Sequence, residues 1–256
     1  MQSSEDLGNT FSRAWQLLST NWIIIVPAIV IAIVAGIIIA LLGMFGLASA
    51  VGFGAVGMGG AGFGSMMLAG AVIALVLLLA SILTVAYTTG MAEAAWRTGK
   101  ATLDDGAAAF RQDAGSLIAA VVLLLIIGII ALALAPFTLF LSVLACWLFF
   151  IYTFAGVVVG RRSGTEALGE SARMTSKNFL MTLAVVVLLC IAFAIAAWVG
   201  NVLHHIPFLG AIASYVINQA VAAFATLVIV GEYIKLRPSI ETVGVGTPPS
   251  ASPPAV

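Results

Sequence analysis

Residues Gly164 to Leu183 read GTEALGESARMTSKNFLMTL, a short charged amphipathic run that passes directly into unbroken apolar sequence. The chain opens in the same way, because Leu7 to Val26 read LGNTFSRAWQLLSTNWIIIV. When Asn21 of the first stretch is aligned with Asn178 of the second, a serine stands two positions before each asparagine. The repeated pattern predicts a surface helix that leads into a membrane-spanning helix.

The composition of the 256-residue chain is that of a membrane protein. Hydrophobic residues make up 62% of it and charged residues only 8%, whereas a soluble domain carries roughly 25% charged residues. Too few charges are present to cover a surface that faces water. The formal net charge of +0 provides no basic field for nucleic acid, so we expect no nucleic-acid partner.

Six segments are long and apolar enough to cross a hydrocarbon core about 30 Å thick, which takes about 20 residues in a helix. The apolar block 116–160 is twice the length that one helix needs, and Pro136 is its predicted break because proline removes a backbone donor. The polar start of the chain predicts that the first span directs its own insertion, without a cleaved signal peptide. The predicted spans are 22–42, 66–89, 116–134, 138–160, 179–199 and 209–231.

The distribution of charge tests this number of spans. With six spans, all ten Lys and Arg residues and all ten Asp and Glu residues fall on one side of the membrane. Basic residues remain on the cytoplasmic side, so both termini are expected in the cytoplasm. No ionisable residue stands at the middle of a span, which argues against a proton-coupled pump.

The predicted fold is an all-α membrane domain of residues 1–237, with three helical hairpins that are each preceded by a cytoplasmic amphipathic helix. The helix before span 1 places Leu7, Phe11, Trp15, Leu18 and Trp22 on one face. Leu103–Asp113 is the weaker copy before span 3. The glycine-rich connection Gly43–Gly64 is expected to be flexible or to lie on the membrane interface. Residues 238–256, rich in proline and serine, are expected to be a disordered cytoplasmic tail.

Two sets of polar residues are candidates for a site. The first set would form either a polar path or a helix-packing surface, and its carboxylates would either pair with Arg97 and Lys235 or line a cavity. It consists of Asn218, Gln219, Ser214, Glu93 and Glu232. The second set, before span 5, is a candidate surface for a partner or lipid. It consists of Arg161, Arg162, Glu166, Glu170, Arg173 and Lys177.

We predict no catalytic site, no metal site and no cofactor. Cys146 and Cys190 lie within apolar runs and are interpreted as small hydrophobic residues. His204 and His205 form a pair without acidic or thiol neighbours, which makes a poor metal site.

The segments FSRAWQLLSTNW, EALGESARMTSKNFLMTL, HHIPFLGAIASYV and VGEYIKLR resemble an uncharacterised family of prokaryotic six-span membrane proteins. That family is similar to the membrane domain attached to some glycerophosphodiester phosphodiesterases. The catalytic barrel of those enzymes has no counterpart in this chain, so the resemblance implies the six-span architecture without the activity. It also implies a location in the inner membrane of a prokaryote.

The predicted function is that of a non-enzymatic scaffold or accessory factor. Its amphipathic helices would contact membrane lipids, another membrane protein or a second copy of the chain. The alternative is a transporter or channel for an unknown solute. Its polar path would have the inner carboxylates at its mouth and be lined by Asn218, Gln219, Tyr152 and Thr153. A flux that Asn218→Leu weakens would favour this alternative.

Overall fold

The computed structural model describes residues 2–54, 59–203, 205–206 and 209–238. The described residues form α-helices joined by short turns and contain no β-strand. A 3₁₀ turn, Trp22–Ile25, connects the first two α-helices. The helices are α1 Gln2–Thr20, α2 Val26–Gly54, α3 Gly59–Thr98, α4 Leu103–Thr138, α5 Leu141–Phe150, α6 Thr153–Val158, α7 Gly164–Lys177, α8 Phe179–Leu203 and α9 Leu209–Leu236.

Six helical segments are long and apolar enough to cross a membrane. They are Trp22–Met44, Gly70–Thr98, Leu103–Thr138, Leu141–Val158, Phe179–Leu203 and Leu209–Leu236. The prediction of an all-α protein with six spanning helices is confirmed, and the chain is a multi-pass membrane protein.

Consecutive spanning helices pack against each other: α2 against α3, α4 against α5, and α8 against α9. The two shorter helices outside the spans also join the bundle, because α1 packs on α9 and α7 packs on α4, α5 and α6. Both lie at the end of the bundle where Glu93, Asp113, Arg161 and Glu232 are found, which we call the charged end. The fully buried Tyr152 and Tyr233 belong to the core at this end.

The helices α1 and α7 both end at an asparagine with nearly the same backbone geometry. Asn21 has φ −121° and ψ 52°, and Asn178 has φ −120° and ψ 40°. In each case the backbone N–H and the side-chain amide donate to the carbonyl four residues earlier, which belongs to Leu17 or Met174. The first and third units of the sequence repeat therefore share one hinge.

The second unit lacks this hinge, and its predicted separate helix is a correction. Leu103–Asp113 is the first part of the continuous helix α4, which begins with a capping box between Thr102 and Asp105. The position equivalent to Asn178 is Ser116. Serine has no amide group to repeat the contacts of the asparagine, so the helix runs on into span 3.

Asn21 makes further contacts that allow a direct test of the hinge. Its amide also donates to the Gly99 carbonyl at 3.1 Å and its oxygen accepts from the Ala101 N–H at 2.8 Å. Asn21→Leu would leave the buried Ala101 N–H without this partner, so we expect a loss of about 1–3 kcal/mol in the free energy of unfolding in detergent micelles. Asn178→Leu is the control, because its side chain contacts the end of its own helix. Equal losses in the two variants would show that the contacts of Asn21 with Gly99 and Ala101 do not stabilise the fold.

The predicted break at Pro136 is also corrected, since Pro136 lies inside α4. The helix ends at Leu139 and Phe140, which have positive φ values of 49° and 65° and whose N–H groups both donate to the Ala135 carbonyl. Ser142, in α5, donates its Oγ to the Ala131 carbonyl at 2.7 Å, which joins the start of α5 to the last turns of α4.

Span 4 is not one regular helix, because it is interrupted between α5 and α6. Ser171 of α7 donates its hydroxyl to the Phe149 carbonyl at 2.8 Å and accepts from the Tyr152 N–H at 3.1 Å. Thr175 donates to the Leu148 carbonyl one turn away. A side chain inserted into the backbone ladder is a known cause of helix interruption, and here it attaches α7 to span 4.

The predicted connection Gly43–Gly64 is wrong in its bounds. α2 extends to Gly54 and α3 begins at Gly59, while residues 55–58 lie outside the described residues. Glycine is tolerated in membrane helices because no water competes for the backbone hydrogen bonds. The predicted tail, from residue 239 onwards, also lies outside the described residues.

Candidate functional site at the charged end

Four carboxylates are buried at the charged end, each on a different helix: Glu93 on α3, Asp113 on α4, Glu170 on α7 and Glu232 on α9. A carboxylate removed from water is costly unless cations or hydrogen-bond donors surround it. Each of these four has a basic residue within 4.0 Å. The charged end is therefore a set of paired charges that joins helices distant in sequence.

Arg161 is the centre of the first group of pairs. It lies in the turn between α6 and α7, with a positive φ of 54°. One guanidinium nitrogen donates to Asp113 Oδ2, and the other lies 3.7 Å from Glu93 Oε2. Arg97 approaches the second oxygen of Glu93 at 2.8 Å. A single side chain thus connects span 2, span 3 and the turn before α7.

Glu170 is the centre of the second group. It accepts from Arg162 Nε at 3.1 Å and from the Tyr233 hydroxyl at 2.7 Å. Glycine is needed at position 160 for this contact, because a Cβ atom there would lie 2.2 Å from the Tyr233 hydroxyl oxygen. The hydrogen bond between Tyr233 and Glu170 connects α7 to the end of span 6.

Glu232 is fully buried, and its Oε1 lies 4.0 Å from Lys235 Nζ on the next turn of α9. The pairing of Glu93 with Arg97 and of Glu232 with Lys235 agrees with the interfacial-pair interpretation of these carboxylates. Neither side chain is exposed at the wall of an open path.

The predicted partner surface before span 5 is divided by the structure. Arg161, Arg162 and Glu170 take part in the pairs just described, and Glu166 completes the capping box of α7 with Ser163. Donation from the Ser163 N–H lowers the pKa of the Glu166 carboxyl. Arg173 donates to the Gly169 carbonyl of its own helix, and Lys177 is exposed.

The exposed side of α7 is polar, since its apolar residues face the bundle. Ala167, Leu168 and Met174 are buried. The outer side, which carries Arg173 and Lys177, lacks the large apolar side chains that are enriched at the cores of protein interfaces. α7 is therefore built chiefly to hold the bundle together.

The predicted mid-span set lies at the opposite part of α9. Ser214 is buried, and a Cβ atom at Gly200 of α8 would lie 2.4 Å from its hydroxyl oxygen. Asn218 donates to the Ser214 carbonyl, and Gln219 is half-buried. At 1.5 Å per residue, Asn218 lies about 21 Å along the helix from Glu232. These residues do not join the carboxylates in one path, and their close contacts favour helix packing.

A cavity of about 360 Å³ opens at the charged end between α1, α3 and α9. Its walls carry three basic residues, Arg13, Arg97 and Lys235, around the indole of Trp96. The Arg13 guanidinium lies 4.8 Å from the centroid of the Trp96 ring and donates to the Trp96 carbonyl at 3.4 Å. The Trp96 ring holds the Arg13 guanidinium by a cation–π contact, and the guanidinium groups are suited to an anionic ligand.

The Trp96 side chain, which forms one wall of this cavity, is fixed by contacts with α9. Its indole Nε1 donates to the Leu227 carbonyl at 2.8 Å. The ring lies against Gly231, where a Cβ atom would be 2.3 Å from Trp96 Cζ2. The side chain of Trp96 is thus positioned by backbone groups of span 6, which gives the cavity a rigid wall.

The residues at the charged end pair carboxylates with cations and do not gather metal ligands. Among the described residues, no group of three or more His, Cys, Asp or Glu side chains lies close enough to hold a metal ion. The geometry provides charge and hydrogen-bond donors, which are the means to bind an anion.

No protein-family model, curated protein or solved structure matches this chain. The resemblance to the membrane domain of glycerophosphodiester phosphodiesterases therefore stays a prediction from the sequence.

Sequence reasoning missed Arg13 and Trp96 as site residues and named Lys235 only as a pairing partner. The three come from segments far apart in the chain, and each has an ordinary role when considered alone. The available signal was the position of every basic residue on one side of the predicted spans. That signal identifies the end of the bundle but not the residues that converge there.

Proposed function

We propose that this multi-pass protein is a non-enzymatic accessory or scaffold protein of a prokaryotic inner membrane. It would act by contacting lipid or a partner membrane protein at its charged end. That end, with both termini, would face the cytoplasm, because basic residues are retained on the cytoplasmic side of membranes.

The observation that carries this proposal is the exposure of two tryptophan side chains, Trp15 of α1 and Trp22 of the 3₁₀ turn after it. Phe11 faces inward and packs edge-to-face on Phe224 of α9, with ring centroids 5.8 Å apart. Trp15 also meets Phe224 edge-to-face, with ring centroids 6.1 Å apart, but Trp15 and Trp22 remain 65% and 67% exposed. Tryptophan is enriched at the membrane–water boundary, where its ring meets lipid and its N–H meets polar groups. α1 thus offers a surface for lipid or for another membrane-embedded protein.

The transporter alternative has less support from the geometry. Its proposed path through Asn218 and Gln219 begins at a close contact between Ser214 and Gly200. Small residues in tight contact are typical of helix packing in lipid.

Native mass spectrometry of the full chain, extracted with its surrounding bilayer by a styrene–maleic acid copolymer, tests the proposal. We expect a stoichiometric lipid class or partner protein to be retained by the wild type. Trp22→Ser should reduce this retention, since it removes an exposed indole, and Ser19→Ala, at an exposed position three residues earlier, is the control. A bare monomer that carries lipids only in their bulk proportions would refute the accessory role. A solute flux in reconstituted vesicles that is lost in Asn218→Leu would favour the transporter instead.

A further inference from the structure

The cavity between α1, α3 and α9 is lined by the side chains of two exposed arginines. Arg13 and Arg97 are both exposed, and Arg97 retains 61% of its side-chain surface while it pairs with Glu93. Within the part of the chain whose side chains are described, Arg13 has no carboxylate partner, since its contacts are with Trp96. No carboxylate among the described side chains thus balances its charge at this cavity.

The guanidinium groups of Arg13 and Arg97 have N–H donors that the described contacts do not use. A guanidinium carries five N–H donors in a planar fork that matches the oxygens of a phosphate. The described contacts use one nitrogen of Arg13 and one of Arg97. Lys235 lines the cavity with the aliphatic part of its side chain, while its Nζ is buried 4.0 Å from Glu232 Oε1. Asn9 adds an exposed amide at the entrance.

The position of the cavity determines the source of the anion. Trp96, Arg97 and Lys235 lie in the last turns of two spanning helices, where the hydrocarbon core meets water. Phospholipid phosphates lie at this depth, and clustered basic residues beside span ends attract anionic lipids. The volume of about 360 Å³ lies within the range of about 300–1,000 Å³ that is typical of small-molecule sites.

From this geometry we infer that the cavity formed by Asn9, Arg13, Trp96, Arg97 and Lys235 binds the phosphate headgroup of an anionic membrane lipid. The inference rests on the proposed function and gives the lipid contact a place and a chemical class. The guanidinium groups of Arg13 and Arg97 donate hydrogen bonds to the phosphate oxygens. The Trp96 ring, which packs against the Arg13 guanidinium, holds that guanidinium in place.

The test uses the full chain in mixed micelles with equal amounts of phosphatidylglycerol and phosphatidylcholine that carry the same acyl chains. Native mass spectrometry measures the ratio of the two lipids that remain bound. We expect the wild type to prefer phosphatidylglycerol and Arg13→Gln to lower that preference about five-fold, the effect of one basic residue near an anionic headgroup. Arg173→Gln removes an equal charge from an exposed arginine on α7 and should retain the wild-type ratio.

A second variant guards against a structural effect of losing Arg13. Asn9→Asp keeps the side-chain size, adds a negative charge to the entrance and should lower the preference by a similar factor. Ser19→Asp adds the same charge about 15 Å further along α1 and should leave the preference unchanged. Added inorganic phosphate should not displace phosphatidylglycerol.

Three results would overturn the inference. They are equal losses in Arg13→Gln and Arg173→Gln, an unchanged ratio in both Arg13→Gln and Asn9→Asp, and displacement of the lipid by inorganic phosphate, which would indicate a soluble ligand. If the wild type extracted with its bilayer still carries a stoichiometric lipid or partner, these failures leave the proposed function standing. A bare monomer in that extract would instead remove the proposed function.

Discussion

Replacing Arg161 with methionine should lower the free energy of unfolding by about 2–4 kcal/mol. Loss of one partner of a buried ion pair costs about 3–5 kcal/mol, and we reduce this because the Arg161 side chain is 42% exposed and partly screened by water. Glu93 would keep its pair with Arg97, but Asp113 would lose its basic partner among the described residues. Detergent-titration unfolding, followed by tryptophan fluorescence, measures the change.

The control and a rescue variant make this result specific. Arg173→Met removes an exposed arginine that contacts only its own helix in the described structure, and a change below about 0.5 kcal/mol is expected. Arg161→Met combined with Asp113→Asn should recover part of the loss, since a neutral amide is less costly to bury than a carboxylate. If Arg161→Met behaves like Arg173→Met, the pairs at the charged end do not stabilise the bundle.

The spanning helices were predictable because their signal is local. A run of about 20 apolar residues is sufficient to identify a span, and each of the six appears as a helical segment, with span 4 divided into α5 and α6. The hinge at Asn21 and Asn178 was also visible, as a repeated asparagine at the junction of polar and apolar sequence. In both cases the cause lies within a few residues of the effect.

The interruptions of the helices were not predictable, because their causes lie elsewhere in the chain. Pro136 appeared to be the break in the long apolar block, but it lies inside α4 and the chain turns at Leu139 and Phe140, which have positive φ values. The interruption of span 4 depends on Ser171, a residue of a different helix. A local pattern contains no record of such a partner.

The candidate site was predictable only as a side of the membrane. Charge distribution placed every basic residue at one end, but it ranked the residues near Arg173 above Arg13 because more charges stand together in that segment. In the folded chain, the local density of charge at α7 is used for ion pairs and for a capping box. The cavity at Arg13 is formed by three helices whose contacts only the tertiary structure defines.

Two glycines of α7 should respond in opposite directions to the same substitution. A Cβ atom at Gly164 would lie 2.7 Å from the Ala120 N atom and 2.8 Å from the Ser116 O atom. These are backbone atoms of α4 that cannot rotate away, so Gly164→Ala should cost about 1–3 kcal/mol, as overpacking does. A Cβ atom at Gly169 would meet no neighbouring helix or side chain within 4 Å, so Gly169→Ala should stabilise by about 0.5–1 kcal/mol through helix propensity.

The opposite signs test whether α7 is docked on span 3 or lies free on the membrane surface. A free amphipathic helix would gain stability from alanine at both positions, whereas a docked helix gains at Gly169 and loses at Gly164. Unfolding of both variants in the same detergent mixture measures the two changes, and stabilisation by both substitutions would contradict the docking. The apolar face of a docked α7 is covered by the bundle and cannot contact lipid. The surfaces proposed to contact lipid are then the exposed indoles of Trp15 and Trp22 and the cavity at Arg13.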